Sequence, residues 1–506
     1  MLITTSLGVI FIILSVLLLT LDPIQFIIKY NTRIVNGSFM MDTFQSEVEG
    51  ARLSISIFNV TNAERFMAGE DYKLKVEEIG PFTYVEYRSN IVLDLKPDVG
   101  LMSFTPTMNL KFLPNESIAD PRSMNITVPN IALLSASTLL SSQPSWIQKG
   151  FNILVHHLRS QAMISLDVHS YLWGFHDPLI GLANTLVPGL IYFDKFGIID
   201  RLYENKTLYH MEVGITDKDR FSIKTLKKYI KQKDYDKQEP LESYKFENTY
   251  EGVVYPPNFS KEMPIKIYRI GVCRPFELEY QETRTEEYVP EVLVYKISNN
   301  TFAKDCEKTA CGMLDLSACT YGIPIAMSRT HFLHSDPKLY ERMEGISPDE
   351  AKHDSAFSID PKLGFTLTTR LSLQLNIMLK DVSFNDQTKS FSNMIIPVAY
   401  INVVQPELLD DFKSLLKLVY KTFLPPGHSQ ERCGLRRVVR RGKRYRQRVL
   451  RCDLRRGKTR TARGGDELCD VRVKQIVLAN IEAATAQSGV RSGIGGRIEA
   501  SRDRNK

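Results

Sequence analysis

The sequence predicts an α+β protein: a strand-rich body, one helical insertion, and an apolar membrane anchor in front. Three stretches carry this. In "RLSLQLNIML", Leu371, Leu373, Leu375, Ile377 and Leu379 alternate with smaller or polar residues, the two-residue period of a strand with one buried face. From Ile131 to Tyr171 there is a single proline, Pro144, and an apolar pattern at helical spacing. The first 21 residues carry no charged side chain.

That opening run comes first in the chain. A bilayer core about 30 Å thick is spanned by about 20 apolar helical residues, so Met1 to Leu21, a run ended by Asp22-Pro23, can span, and residues 1–28 read as the anchor segment. A cleaved signal peptide is the rival, but no basic n-region or small-x-small cleavage site is present. A buried core helix is the third reading. Acceptor sequons at Asn36, Asn59, Asn115, Asn125, Asn205, Asn258 and Asn299 place residues 29–424 in the secretory lumen or outside the cell, if used.

Within that body, "GPFTYVEY", "EVLVYKI" and "MIIPVAYINVV" join "RLSLQLNIML" as strand signals, punctuated at short intervals by Pro and Gly. The helical insertion spans about 131–171. Pro144 suits a first helical turn, where its missing N–H would have no partner. Ile147, Phe151, Leu154, Val155 and Leu158 then mark one face, with His156, His157 and Arg159 on the polar side.

Cysteines are absent from the first 272 residues. Cys273, Cys306, Cys311 and Cys319 then cluster, which reads as two disulfides in an oxidising compartment. A metal site is the alternative, but the spacing lacks the CxxC knuckle that zinc favours. No H-E-x-x-H, G-x-S-x-G, Walker or G-x-G-x-x-G fingerprint occurs. "KHDS", Lys352 to Ser355, sets His, Asp and Ser side by side, where they rarely converge as a triad. His156-His157 lacks the i, i+4 spacing of a helical metal pair. Enzymatic chemistry and cofactors are therefore not expected.

The end of the chain is compositionally different. Residues 425–506 hold 22 Lys/Arg against 8 Asp/Glu, leaving 43 basic and 50 acidic residues before them. The net charge of +7 thus comes from this tail. "RCGLRRVVRRGKRYRQRVLRC" carries ten basic residues and no acid. Alone it suggests a polyanion-binding arm, but a lumenal chain would not meet nuclear nucleic acid. Just before it, Leu408, Phe412, Leu415, Leu416, Leu418 and Val419 suggest an amphipathic helix.

Six ordered stretches resemble the class B scavenger receptor family: "GPFTY", "LWGFHDP", "GVCRPFELEY", "CGMLDLSACTYGIPIAMSRTHFLHSDP", "GISPDEAKHDSAFSIDPKLGFTL" and "IPVAYIN". The family includes fatty-acid translocase, the high-density-lipoprotein receptor, the lysosomal integral membrane glycoprotein, Croquemort and the sensory-neuron membrane proteins. The resemblance implies a glycosylated ectodomain held by an anchor at each end, folded as a large irregular antiparallel β-barrel. A helical bundle would cap the apex, and an internal tunnel would carry lipid towards the bilayer. It also implies the pairings Cys273–Cys319 and Cys306–Cys311.

By the same resemblance, the 131–171 insertion is the apex. Its ligand-binding surface would be a basic rim of Lys149, His156, His157 and Arg159 beside apolar Trp146, Phe151 and Leu154. The implied ligands are lipids, lipoproteins or other anionic or apolar particles, bound by a plasma-membrane receptor or an endosomal or lysosomal one. The alternatives are a sorting receptor for a soluble lysosomal hydrolase and a pheromone-sensing role. Homo-oligomers are compatible with any of these.

The chain departs from the family after Leu424. No later window supplies a second apolar span. The tail reads as a gene-model artefact, as a splice form processed at "RGKR", or as a functional polyanion-binding module.

Overall fold

The computed structural model describes residues 33–186, 195–203, 207–231, 239–270, 272, 274–303, 311–320 and 322–423. The predicted anchor, 1–28, and the tail, 425–506, lie outside them. Among the described residues no helix is long and apolar enough to cross a membrane. The chain divides into a large unit, residues 1–286 and 291–407, and a small one, residues 287–290 and 408–506.

Strand dominates the large unit. In chain order the strands are β1 (Val48–Val60), β2 (Leu74–Lys96), β3 (Leu101–Phe112), β4 (Asn125–Pro129), β5 (Met163–Asp167), β6 (Thr207–Gly214), β7 (Ile223–Ile230), β8 (Glu242–Lys245) and β9 (Thr249–Tyr250). There follow β10 (Ile265–Ile267), β11 (Phe276–Arg284), β12 (Val292–Ile297), β13 (Leu314–Asp315), β14 (Ile325–Ser328), β15 (Met343–Glu344), β16 (Ala356–Asp360), β17 (Phe365–Met378) and β18 (Ile395–Val404). Sixteen form one sheet along the path β8-β7-β6-β3-β2-β1-β18-β17-β16-β12-β11-β10-β9, with β13, β14 and β15 off it.

The predicted barrel is corrected in two respects. Hydrogen bonding among the described residues does not close it, because the path ends at β8 and β9. These end strands have four and two residues and do not pair with each other. Nor is every pairing antiparallel: β9 runs parallel to β10, and β15 to β2.

The first and last strands, β1 and β18, meet at the middle of the path. β18 pairs with β1 from Ala399↔Ile57 to Val404↔Arg52, and β17 flanks β18 on its other side. Strand alternation here sends Leu371, Leu373 and Leu375 to one face and Ser372, Gln374 and Asn376 to the other. Both faces are covered, which corrects the expectation of one buried face: the three polar residues have no exposed surface. The cover is the segment from Ser328 to Asp354, and it supplies the hydrogen bonds that make polar burial tolerable. Thr330 bonds Ser372 at 2.7 Å, the His331 N–H donates to Gln374 at 2.7 Å, and Asn376 donates to Ser328 at 3.0 Å.

The helical insertion is less uniform than predicted. Helices α1 (Phe39–Gln45) and α2 (Ala63–Ala68) precede it. It contains α3 (Ile131–Leu140) and α4 (Ser145–His157), then strand β5, which pairs with β4, and only then α5 (Val168–Trp173). Asn130 caps α3 through Leu133 N, and its amide also donates to buried Asp177 at 3.0 Å. Asp177 in turn accepts from Leu179 N at the start of α6 (Pro178–Leu186). Its neighbour Trp173 bonds the Tyr84 hydroxyl at 3.3 Å, so "LWGFHDP" and "GPFTY" meet in space. A Cβ on Gly197 would lie 2.4 Å from Gly174 N, and this close approach requires glycine. The large unit is completed by α7 (Ile198–Leu202), α8 (Asn299–Ala303) and α9 (Glu350–His353).

The small unit's described helix is α10 (Asp410–Phe423), where the amphipathic pattern predicted one. Leu416 and Tyr420 are buried, and Lys417 pairs with Glu287.

Candidate ligand-binding site

Two cavities adjoin on the apolar face of β17 and β18. The narrower, about 70 Å³, is walled by Leu53 of β1, Leu371, Leu373 and Leu375 of β17, and Ile401 and Val403 of β18. The larger, about 250 Å³, shares Leu371, Val403 and Arg269 with it. It extends to Val48–Ala51, where the chain enters β1, and to Gln405–Pro406, where it leaves β18. A run of leucines at strand period thus builds an apolar lining through simple alternation.

The larger cavity carries a charged wall. Glu86 and Arg88 sit on β2, Arg269 follows β10, and Glu251 follows β9. Arg88 donates to Glu251, and Arg269 faces Glu86 at 3.7 Å. Burial pulls the Arg88 guanidinium down, but Glu251 and Glu86 outweigh it and raise its pKa. Burial pushes the Tyr203 hydroxyl, which bonds Glu86, far above its ordinary value. These pairings were invisible in the sequence; Arg88 and Glu251 are 163 residues apart.

On the opposite, polar face lies a cavity of about 610 Å³, lined by Glu78, Ser347, Pro348, Asp349, Lys352, His353, Tyr400 and Asn402. His331 and His353 stack with centroids 4.4 Å apart and planes 11° apart. Each Nδ1 accepts a backbone N–H, from Ser347 at 3.1 Å and Asp349 at 3.0 Å. That leaves Nε2 of His331 facing Glu78 at 3.4 Å. The His331 bond, helped by Tyr400 against burial, holds the Glu78 carboxyl down at about 2. Burial, and then the neighbouring His331, lowers His353. His331 is left-handed, with φ 52°, a conformation that costs a non-glycine residue and that aims its ring into this cluster. The "KHDS" side chains diverge: His353 joins the stack, Asp354 pairs with Lys296 at 2.7 Å, and Ser355 Oγ accepts from Ser372 N. In a trio with metal-ligand spacing, His334, Glu350 and Asp354, the two carboxylates are bridged by the Lys296 ammonium.

The predicted apex residues separate into two groups. Trp146 is 74% exposed, and Lys149, His156, His157 and Arg159 are exposed with it. Phe151 and Leu154 do not join them, a correction to the predicted surface. Phe151 is buried, 6.4 Å from the Phe384 ring, and Leu154 is half-buried against the core. Both lie on the helix face that docks α4, and Asn152 reinforces the docking by donating to Phe384 O. The exposed apolar partner of Trp146 is instead Ile153, seven residues on and 72% exposed. The i, i+7 spacing was the signal that would have found it.

Asn36, Asn115, Asn125, Asn258 and Asn299 are exposed. Asn59 is half-buried with both amide ends engaged, donating to Glu77 at 2.7 Å and accepting from Thr127 N at 2.8 Å. Cys311 is disulfide-bonded, and Cys319 lies in the turn Ser317–Cys319. Asn205, Cys273 and Cys306 fall outside the described residues.

Fold and cavities together define a β-sheet protein with a helical insertion and two adjoining cavities on the leucine face of β17. The CD36 family model matches residues 6–425, and the chain belongs to that family. It is 25% identical over 432 residues to scavenger receptor class B member 1 of Bos taurus, covering 82% of this chain and 83% of that one. The corresponding protein of Sus scrofa is 26% identical over 415 residues, covering 77% and 78%. Lysosome membrane protein 2 of Rattus norvegicus is 24% identical over 412 residues, covering 77% and 82%.

Proposed function

We propose that this chain is a membrane-anchored, glycosylated scavenger-type receptor that binds lipids, lipoproteins or other anionic or apolar ligands and conducts lipid to the membrane. The observation that carries the reading is the apolar lining: alternate residues of β17 and β18, with Leu53 of β1, wall two adjoining cavities that reach to where the chain enters β1 and leaves β18. Ligand capture is assigned to the α4 surface, where Trp146 and Ile153 offer apolar contact beside Lys149, His157 and Arg159. Such a surface matches particles with charged heads and apolar tails. The mechanism is binding and apolar conduction, with no bond chemistry. Plasma membrane is the favoured location, with endosomal or lysosomal membrane as the alternative.

Likeness to a lysosome membrane protein favours the second reading, a sorting receptor whose α4 surface escorts a soluble hydrolase. The test is lipid analysis of the purified full chain. Co-purifying amphiphiles, depleted when the chamber is filled by Leu373→Trp, are expected. A lipid content identical in both proteins overturns the conduction reading.

A further inference from the structure

We propose that Arg269 and its buried partners form a head-group site, selecting lipids that carry an anionic oxygen head over neutral esters. The inference rests on the lipid-chamber reading and concerns its specificity.

Placement comes first. Arg269 belongs to the walls of both cavities, at their junction, and among the described residues is the cation lining the narrow apolar one. A chain lying along Leu371, Leu373 and Leu375 therefore brings its end group to this guanidinium. The pairing comes second. Arg269 and Glu86 stand at 3.7 Å, an ion pair beyond hydrogen-bond length. Glu86 is meanwhile engaged by the Tyr203 hydroxyl, while Arg88 is committed to Glu251. Arg269 is thus the loosely held member of the four. Its planar fork suits two oxygens of a carboxylate or phosphate.

Burial makes the selection sharp. The Glu86 and Arg269 side chains are 4% and 23% exposed. A neutral ester drawn into this junction would shield the ion pair from residual water and return only weak acceptors, which costs free energy. An anionic head returns strong charge-assisted bonds. Glu86 competes for the same guanidinium, so a weakly accepting head cannot take Arg269 from it, whereas a charged one can.

The test uses the full-length protein in nanodiscs of uncharged lipid and three probes: a long-chain fluorescent fatty acid, its methyl ester, and a monoacyl phosphate of equal chain length. The acid or the phosphate should bind about tenfold tighter than the ester, the ratio given by one charge-assisted pair. Whichever binds tighter identifies the head. Arg269→Gln should bring the ratio near one without weakening the ester. Glu86→Gln removes the competing carboxylate and should tighten acid binding, a gain that misfolding cannot mimic. Equal binding of acid and ester by the unsubstituted protein overturns the head-group site and leaves the chamber intact. Failure of all three probes overturns the chamber reading itself. Unchanged or weaker acid binding in Glu86→Gln also counts against the site.

Discussion

The two faces of β17 and β18 are built from neighbouring residues and are chemical opposites. Leu371, Leu373 and Leu375 look into an apolar chamber. Ser372, Gln374 and Asn376 are just as buried, yet every one is tied by hydrogen bonds to the segment that covers them. One face keeps space open by offering nothing to bond. The other closes space by bonding everything. A strand flanked this way can wall a cavity and remain anchored.

Substitutions can break the contrast, and the largest effect should come from exchanging the chemistry of the faces. Leu373→Asp places an unpaired carboxylate on the apolar face and should cost about 3–5 kcal/mol, read as a lowered urea midpoint. A loss below about 1 kcal/mol would mean that water already fills the chamber. Gln374→Leu leaves the His331 N–H without its acceptor and should cost about 1–3 kcal/mol. An unchanged midpoint would show that the covering segment is held from elsewhere.

The polar face should also respond to pH. The folded pKa of His353 lies below its ordinary value, so the unfolded chain binds a proton first as pH falls. Stability is therefore full above the ordinary histidine range and declines through it towards the lowered folded value. Glu78 acts further down: its contribution is present above the ordinary carboxylate range and is lost as pH falls from there towards about 2. His353→Gln should flatten the urea midpoint between pH 7 and pH 5. An undiminished slope would assign the acid response to other groups.

The smallest effect on stability should come from the α4 surface. His157→Glu with Arg159→Glu alters exposed side chains and should change stability by no more than about 0.5 kcal/mol. Binding to vesicles containing anionic phospholipid should nevertheless fall severalfold at low salt, because the Arg159 cation is lost and two carboxylates are added. Undiminished binding would remove α4 from the ligand surface.

Legibility in the sequence follows range. The leucine alternation, the helix from Ser145 and the buried face of α4 are local patterns, and all were readable. Burial of Ser372, Gln374 and Asn376 was not, because the residues that satisfy them lie more than 40 positions upstream. Glu78 meets the stacked His331 and His353 from another part of the chain, 253 positions before His331, and Arg88 meets Glu251 across 163 positions. The assignment of Phe151 and Leu154 to a ligand surface erred because their helix face was read as buried and exposed at once; packing on Phe384 decides for burial. The open sheet edge depended on two very short strands, for which no sequence period exists.

Lipid conduction, as proposed, requires the leucine face of β17 to bound the path. Leu373→Trp tests it by filling a cavity of about 70 Å³ with an apolar side chain, measured as transfer of a fluorescent lipid from donor vesicles into the membrane holding the full-length protein. Transfer should fall sharply while vesicle binding at α4 is unchanged, because a packed side chain replaces open volume. Transfer at the original rate in a folded Leu373→Trp protein would contradict it.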